Sequence, residues 1–186
     1  DYKELNKKYL QNRVEEANDL LEYMSKTIDD FRNFFNPNSI KEEFFIKTSV
    51  ENAIKIVKST LDFHHIELLV DIDESLKIIG FKNEYSQAVM NIISNAKDVL
   101  IDKKIQNPQI KIYIEKIDKI ILCIEDNAGG INENIIDKIF DPYFTTKYEY
   151  GTGIGLYMTK LIIEDKMNGT ISAQNVSDGA KFFIEI

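Results

Sequence analysis

The chain has 186 residues, 44% hydrophobic and 29% charged, a balance that fits one soluble domain of about 100 to 150 residues plus a short appendage. Lys and Arg number 23 against 31 Asp and Glu, and the net charge of −8 repels a phosphate backbone, which argues against nucleic acid as a partner. No apolar run approaches the ~20 residues of a membrane span, and the single Cys123 allows neither an internal disulfide nor a cysteine-based metal site.

Residue 1 follows no Met, basic stretch or apolar leader, so the chain reads as an excerpt of a longer protein. From Leu10, the apolar residues Val14, Ala17, Leu21, Met24, Ile28, Phe31 and Phe35 recur at spacings of three and four. That is the seam of a helix packed in a coiled coil or bundle. Its other faces carry Glu15, Glu16, Asp19, Glu22, Lys26, Asp29 and Arg32, so the helix needs partner helices to cover its stripe. The seam stops at Asn36-Pro37, which divides the chain into a helical segment, 1–37, and a globular domain, 38–186.

Residues 36–47 read as a linker, and Thr48 or Ser49 caps a predicted helix that runs to about Phe63. His64 and His65, the only histidines, follow it with no Cys or second cluster nearby and read as structural or solvated groups. Two short strands are expected at 66–72 and 76–81, around a turn at Asp73-Glu74. In the next predicted helix, 83–104, Tyr85, Ala88, Val89, Ile92, Ile93, Ala96, Val99 and Leu100 form the apolar stripe. Asn91, Asn95 and Asp98 share a neighbouring face. Strands at 109–117 and 119–124 turn at Asp118 and lead into Asp126-Asn127-Ala128-Gly129-Gly130; Cys123 within them reads as a buried small hydrophobe in a reducing compartment. Residues 131–150 have sparse apolar periodicity between Gly130 and Gly151 and are expected to be the most mobile part. A helix at 152–167 and strands at 170–175 and 180–186 close the domain. The sum predicts an α+β fold, a two-layer sandwich of helices on one face of a mixed, largely antiparallel sheet, preceded by one long coiled-coil-type helix.

Three stretches carry chemistry. Asn91 and Asn95, four apart on a helix, present amide oxygens in one direction, and magnesium accepts one or two such hard ligands when phosphates supply the rest. Asp126, at a strand end, can accept a hydrogen bond from an exocyclic amine, while the paired glycines after it let a flat ring approach the backbone. Gly151-Thr152-Gly153-Ile154-Gly155-Leu156 precedes an apolar helix and offers backbone amides to phosphates. It is neither a dinucleotide fingerprint nor a Walker loop, because Leu156 falls where the third glycine belongs and no GxxxxGK[ST] occurs. Taken singly, the first two are also an ordinary polar helix face and a strand-end turn.

In this order, with 139–147 (Ile-Phe-Asp-Pro-Tyr-Phe-Thr-Thr-Lys) between the second and third stretches, they resemble the gyrase-type ATP-binding fold in its histidine-kinase branch. Residues 24–35 resemble the second helix of that family's dimerisation stem. The resemblance implies that Asn95 ligates Mg2+, that Asn91 lies beside it, and that Asp126 pairs with the adenine amino group above Gly130. It implies that Gly151, Gly153 and Gly155 shape the phosphate contacts and that Lys147 reaches the terminal phosphate. Asp98, Ile131, Phe140, Thr146, Thr152, Ile154 and Leu156 fall within the same nucleotide site. Ala128 stands where the pattern has glycine, a mild change if its φ stays negative, and Lys181 stands where a Thr near the adenine is common.

The activity implied is an ATP:protein-histidine phosphotransferase of a two-component system, with ATP and Mg2+ as cofactors. The chain would bind ATP without phosphorylating itself, since no helical His followed by an acidic residue precedes the stem helix. The resemblance further implies a homodimer through the stem, a response-regulator receiver domain as partner, and a cytoplasmic location with no membrane contact by these residues, the parent being free to carry an anchor. Neutral Asn91, where related ATPases have a Glu to activate water, favours transfer over hydrolysis. The alternatives are an ATPase or serine-kinase regulator on the same fold, which the helical seam disfavours, and a non-catalytic dimerisation module, which the full set of nucleotide stretches disfavours.

Overall fold

A computed structural model describes residues 40–116, 118–147 and 151–186, together with Tyr9, Leu10, Arg13, Val14, Ala17, Asn18 and Leu21. Of the predicted seam, Leu10, Val14, Ala17 and Leu21 are helical and exposed; Met24, Ile28, Phe31, Phe35 and the Asn36-Pro37 stop lie outside the described residues. The elements run β1 (Glu42–Phe45), α1 (Ile46–Phe63), β2 (Glu67–Asp71), β3 (Lys77–Gly80), α2 (Lys82–Asp102), β4 (Gln109–Lys116) and β5 (Ile120–Asp126). A 3₁₀ turn (Ile136–Lys138), α3 (Gly155–Lys160) with a π-helical continuation (Leu161–Lys166), β6 (Thr170–Asn175) and β7 (Ala180–Glu185) follow.

Five strands form one mixed sheet in the order β2-β4-β5-β7-β6, in which only β2 runs parallel to its neighbour, and β1 pairs with β3 in a separate antiparallel ribbon. Strands β2 and β3 flank a turn as expected, and they belong to different sheets. The parallel register of β2 sets Leu68 opposite Ile110 and Val70 opposite Ile112, which leaves β3 to pair with Glu42–Phe45, read from sequence as linker. That strand has four residues and buries only Phe44, too few for a period of two to show. Helix α1 starts at Ile46 rather than at a Thr48 or Ser49 cap, since the buried Ile46 donates its amide to the Leu76 carbonyl at 3.0 Å. The helix predicted at 152–167 begins as α at Gly155 and widens into a π turn, in which consecutive Ile162 and Ile163 are both fully buried.

Strand alternation builds the core. One row across the sheet is Ile112, Ile124 and Phe182, and the next is Ile114, Leu122, Ile184 and Ile171. These side chains share the core with Tyr85, Val89, Ile92, Ile93 and Ala96 of α2, while Val50, Ala53, Val57 and Leu61 of α1 lie in the same cluster. The intervening positions point away from it. There Tyr113, Cys123, Phe183 and Ser172 form one row, and Lys111, Glu125, Lys181 and Gln174 another. The Lys181 ammonium pairs with Glu115 and stands 5.0 and 4.7 Å from the Tyr113 and Phe183 ring centres. Cys123, beneath these groups, is fully buried, and burial pushes its thiol up to about 11. At pH 8 Cys123 should therefore react with an aromatic disulfide reagent only after unfolding; labelling of the native protein within minutes would contradict this packing.

Candidate functional site

A cleft of about 380 Å³ is lined by α2, the end of β5, the start of β7, residues from 130–147 and 151–153, and the first turn of α3. Asp126 occupies its inner end because of strand parity. In β5 the even positions Leu122 and Ile124 face the core, and Asp126 is the next member of that row, opposite Ile110. Its Oδ1 accepts the amides of Ala128 at 2.8 Å and Ala180 at 3.4 Å, which leaves Oδ2 for a ligand. Burial raises the carboxyl above the usual carboxylate range, against the lowering influence of those two amides and of Lys103.

The loop after Asp126 is pinned from three sides. Lys103 donates to the carbonyls of Ala128 (2.7 Å) and Gly130 (3.3 Å), and Gly129 donates to Asp178 O at 2.8 Å. Asn175 holds Ile131 by both edges of its amide, accepting from the Ile131 nitrogen and donating to its oxygen, each at 2.7 Å. Gly130 needs to be glycine here, since its φ is +76° and a Cβ would lie 2.7 Å from Asn175 Oδ1. Ala128 is absent from the positive-φ residues, so its methyl is tolerated.

On α2, Asn91, Asn95 and Asp98 all line the cleft. Asn91 donates to Gly155 O at 3.1 Å and to Thr159 Oγ1 at 3.4 Å, so its amide nitrogen fastens α2 to the start of α3. Asn95 makes no hydrogen bond among the described residues, and its oxygen is available to a ligand. Asp98 accepts Lys147 on Oδ2 at 2.8 Å and Lys97 on Oδ1 at 2.9 Å. Burial pushes this carboxyl up, but the two lysines outweigh it and hold it below the ordinary range. Among the described residues no three His, Cys, Asp or Glu side chains converge as a metal cage, so a divalent cation here would have Asn95 and need oxygens brought by its ligand.

Across from α2, Thr145, Thr146, Lys147, Gly151, Thr152, Gly153 and Gly155 line the other wall. Gly151 donates to the Lys147 carbonyl at 2.7 Å. Gly153, with φ +64°, lies against the Tyr143 backbone where a side chain would collide.

Of the residues expected from sequence, Asn91, Asn95, Asp98, Asp126, Gly130, Ile131, Thr146, Lys147, Gly151, Thr152, Gly153, Gly155 and Leu156 meet at this cleft. Phe140 and Ile154 do not line it. Phe140 stands edge-on to Phe182, 6.3 Å between ring centres, and Phe182 forms the wall; Ile154 is buried. Lys181 faces the other side of the sheet, and Ala180 and Phe182 are the cleft residues of β7. Alternation through Ala180, Phe182 and Ile184 was the signal that could have assigned them. Lys103 also lines the cleft, and with Asn175 it was missed, as neither belongs to a local pattern. His64 and His65 are not in the lining.

Residues 81–186 match the family model described as histidine kinase-, DNA gyrase B- and HSP90-like ATPase. The chain is 28% identical over 146 residues to the two-component sensor PprA of Pseudomonas aeruginosa, covering 73% of this chain and 15% of that protein. It is 34% identical over 150 residues to a probable C4-dicarboxylate sensor kinase of Bacillus subtilis, covering 75% and 28%. Among solved structures, the nucleotide-free catalytic domain of the histidine kinase ThkA superposes with a TM-score of 0.69 at 28% identity, covering 79% of this chain and 95% of that one. The chain thus spans under a third of the length of these two curated relatives.

The raised carboxyl of Asp126 has a consequence for stability. A folded-state value above the unfolded one means the ionised form costs stability, fully so above the folded value and not at all below the unfolded one. Asp126→Asn, whose amide oxygen can still accept both backbone amides, should therefore melt no lower than the parent at pH 7, with the difference vanishing in acid. A melting temperature several degrees lower at pH 7 would contradict the burial argument.

Proposed function

Since the chain belongs to the histidine kinase-, DNA gyrase B- and HSP90-like ATPase family, as an ATP-binding catalytic region of the sensor-kinase kind, we propose that it presents the γ-phosphoryl of ATP to a histidine on a stem helix. The supporting observation is one cleft with two unlike ends: a buried carboxylate with an uncommitted oxygen at one, and a glycine-lined wall with Lys147 at the other. Asp126 Oδ2 accepts the adenine amino group, and Gly130 lets the ring lie against the backbone. The 151–155 backbone and Lys147 take the phosphates. Asn95 would hold Mg2+ together with phosphate oxygens, and the bound ion would neutralise charge on the phosphates.

Asn91 decides between transfer and hydrolysis. It carries no base, and its nitrogen is committed to Gly155 and Thr159, so nothing at that position activates water. Positioning then does the work, because phosphoryl transfer asks little covalent chemistry of side chains. In this reading residues 1–37 are the second stem helix and 38–186 the catalytic domain. Two stems associate as a homodimer, a response-regulator receiver takes the phosphoryl group onward, and the region works in the cytoplasm. No helix among the described residues is long and apolar enough to cross a membrane.

The test is incubation with γ-labelled ATP and Mg2+. Alone, the chain should bind ATP and gain no acid-labile label, since His64 and His65 lie outside the cleft; joined to an upstream stem helix that carries a histidine, it should label that histidine. Asn95→Ala should abolish the Mg2+ dependence of ATP binding while leaving metal-free binding within about twofold. Label on His64 or His65, or Mg2+-stimulated binding retained by the variant, would overturn these assignments.

A further inference from the structure

The polyphosphate end of the cleft carries one feature that nucleotide chemistry alone does not require: an acidic side chain on the wall where anions are to be received. Asp98 lies on α2 one turn beyond Asn95 and lines the cleft. It is not a bare charge. Lys97 occupies Oδ1 at 2.9 Å and Lys147 occupies Oδ2 at 2.8 Å, so the three side chains together carry one net positive charge. All three are largely shielded from water: Lys147 and Lys97 expose 16% and 18% of their side chains, Asp98 30%.

Lys147 is an otherwise soft ligand. Its side chain has four rotatable carbons and an ammonium that acts as a point charge, and it extends from a non-helical segment. Its backbone is fixed at both groups, the amide by Thr145 Oγ1 at 3.0 Å and the carbonyl by Gly151 N at 2.7 Å. Asp98 fixes the remaining freedom at the tip. An ammonium has three protons; one given to Asp98 leaves two for phosphate oxygens. Lys97, on the other oxygen, offsets the charge that the carboxylate would otherwise turn against the incoming phosphates.

We propose that Asp98 is a positioning residue for phosphoryl recognition, which holds the Lys147 ammonium aimed at the terminal phosphate while Lys97 neutralises it. This rests on the reading of the cleft as an ATP site, and the experiment separates the two. ATP and ADP affinities are measured for the parent chain, Asp98→Asn, Lys147→Met and the double variant. The parent binding neither nucleotide would overturn the ATP-site reading itself. With that reading intact, Asp98→Asn should weaken ATP roughly five- to tenfold, the scale of one partly buried charge-assisted bond, and change ADP less than twofold. Unchanged ADP binding also shows that the variant folds.

In the Lys147→Met background the Asp98 substitution should have no further effect on ATP, because the carboxylate acts through the lysine it has lost. Asp98→Asn should also loosen the lysine, seen as greater motional averaging of the Lys147 side-chain methylene signals in the nucleotide-free protein. Three outcomes each overturn the proposal: equal loss of ATP and ADP, an undiminished loss in the Lys147→Met background, or tighter ATP binding by Asp98→Asn, which would make the carboxylate a competitor for the lysine rather than its guide.

Discussion

Side-chain alternation along β5 is the constraint on which the site depends. Because every second residue faces the helices, the row that packs the core through Leu122 and Ile124 ends in Asp126, and a carboxylate arrives at the margin of an apolar interior. A register slip of one residue would put Glu125 there and turn Asp126 toward the open side of the sheet. The cost of burial is only partly offset by two backbone amides on one oxygen, which keeps the other in reserve. Parity in β7 acts with it, bringing Ala180 and Phe182 to the cleft and sending Lys181 to the far face.

Around that carboxylate the structure fixes backbone instead of adding side-chain ligands. Lys103 and Asn175 hold the loop after Asp126, Asn91 ties α2 to α3, and the Gly151 amide holds the Lys147 carbonyl. The segment expected to be most mobile starts at residue 131, and hydrogen bonds from Lys103 to Gly130 and between Asn175 and Ile131 anchor that starting point. Charge is arranged on the same principle. In a chain of net charge −8, Lys103 and Lys147 offset Asp98 and Asp126 in the cleft lining, while Glu115, Glu125 and Glu185 lie on the outward-facing positions of the sheet.

Much of this was legible in the sequence because it is periodic or contiguous. The stripe of α2 put Asn91, Asn95 and Asp98 on one face, and the runs 126–130 and 151–156 are local by nature. The strands of the β4–β5 hairpin and β6 were bounded within two residues for the same reason. What escaped depends on distant chain segments meeting. The parallel pairing of β2 with β4 and the β1–β3 ribbon are set by which apolar rows match, which no local window contains. Lys103 and Asn175 act 25 and 44 residues from their partners, and nothing at either position announces it. Lys181, set near the adenine by likeness to the family pattern, lies on the far face because strand parity decides.

The account stands or falls on whether one nucleotide bridges the two ends of the cleft. Backbone amide shifts of the isotope-labelled chain, followed as Mg-ATP is added, read this directly. The account predicts large changes at 126–131, 145–147 and 151–156 and in the Asn95 side-chain amide, with Tyr113, Cys123 and Phe183 on the opposite face unmoved. Changes confined to the opposite face, or an Asp126 loop unaffected at saturating Mg-ATP, would contradict it.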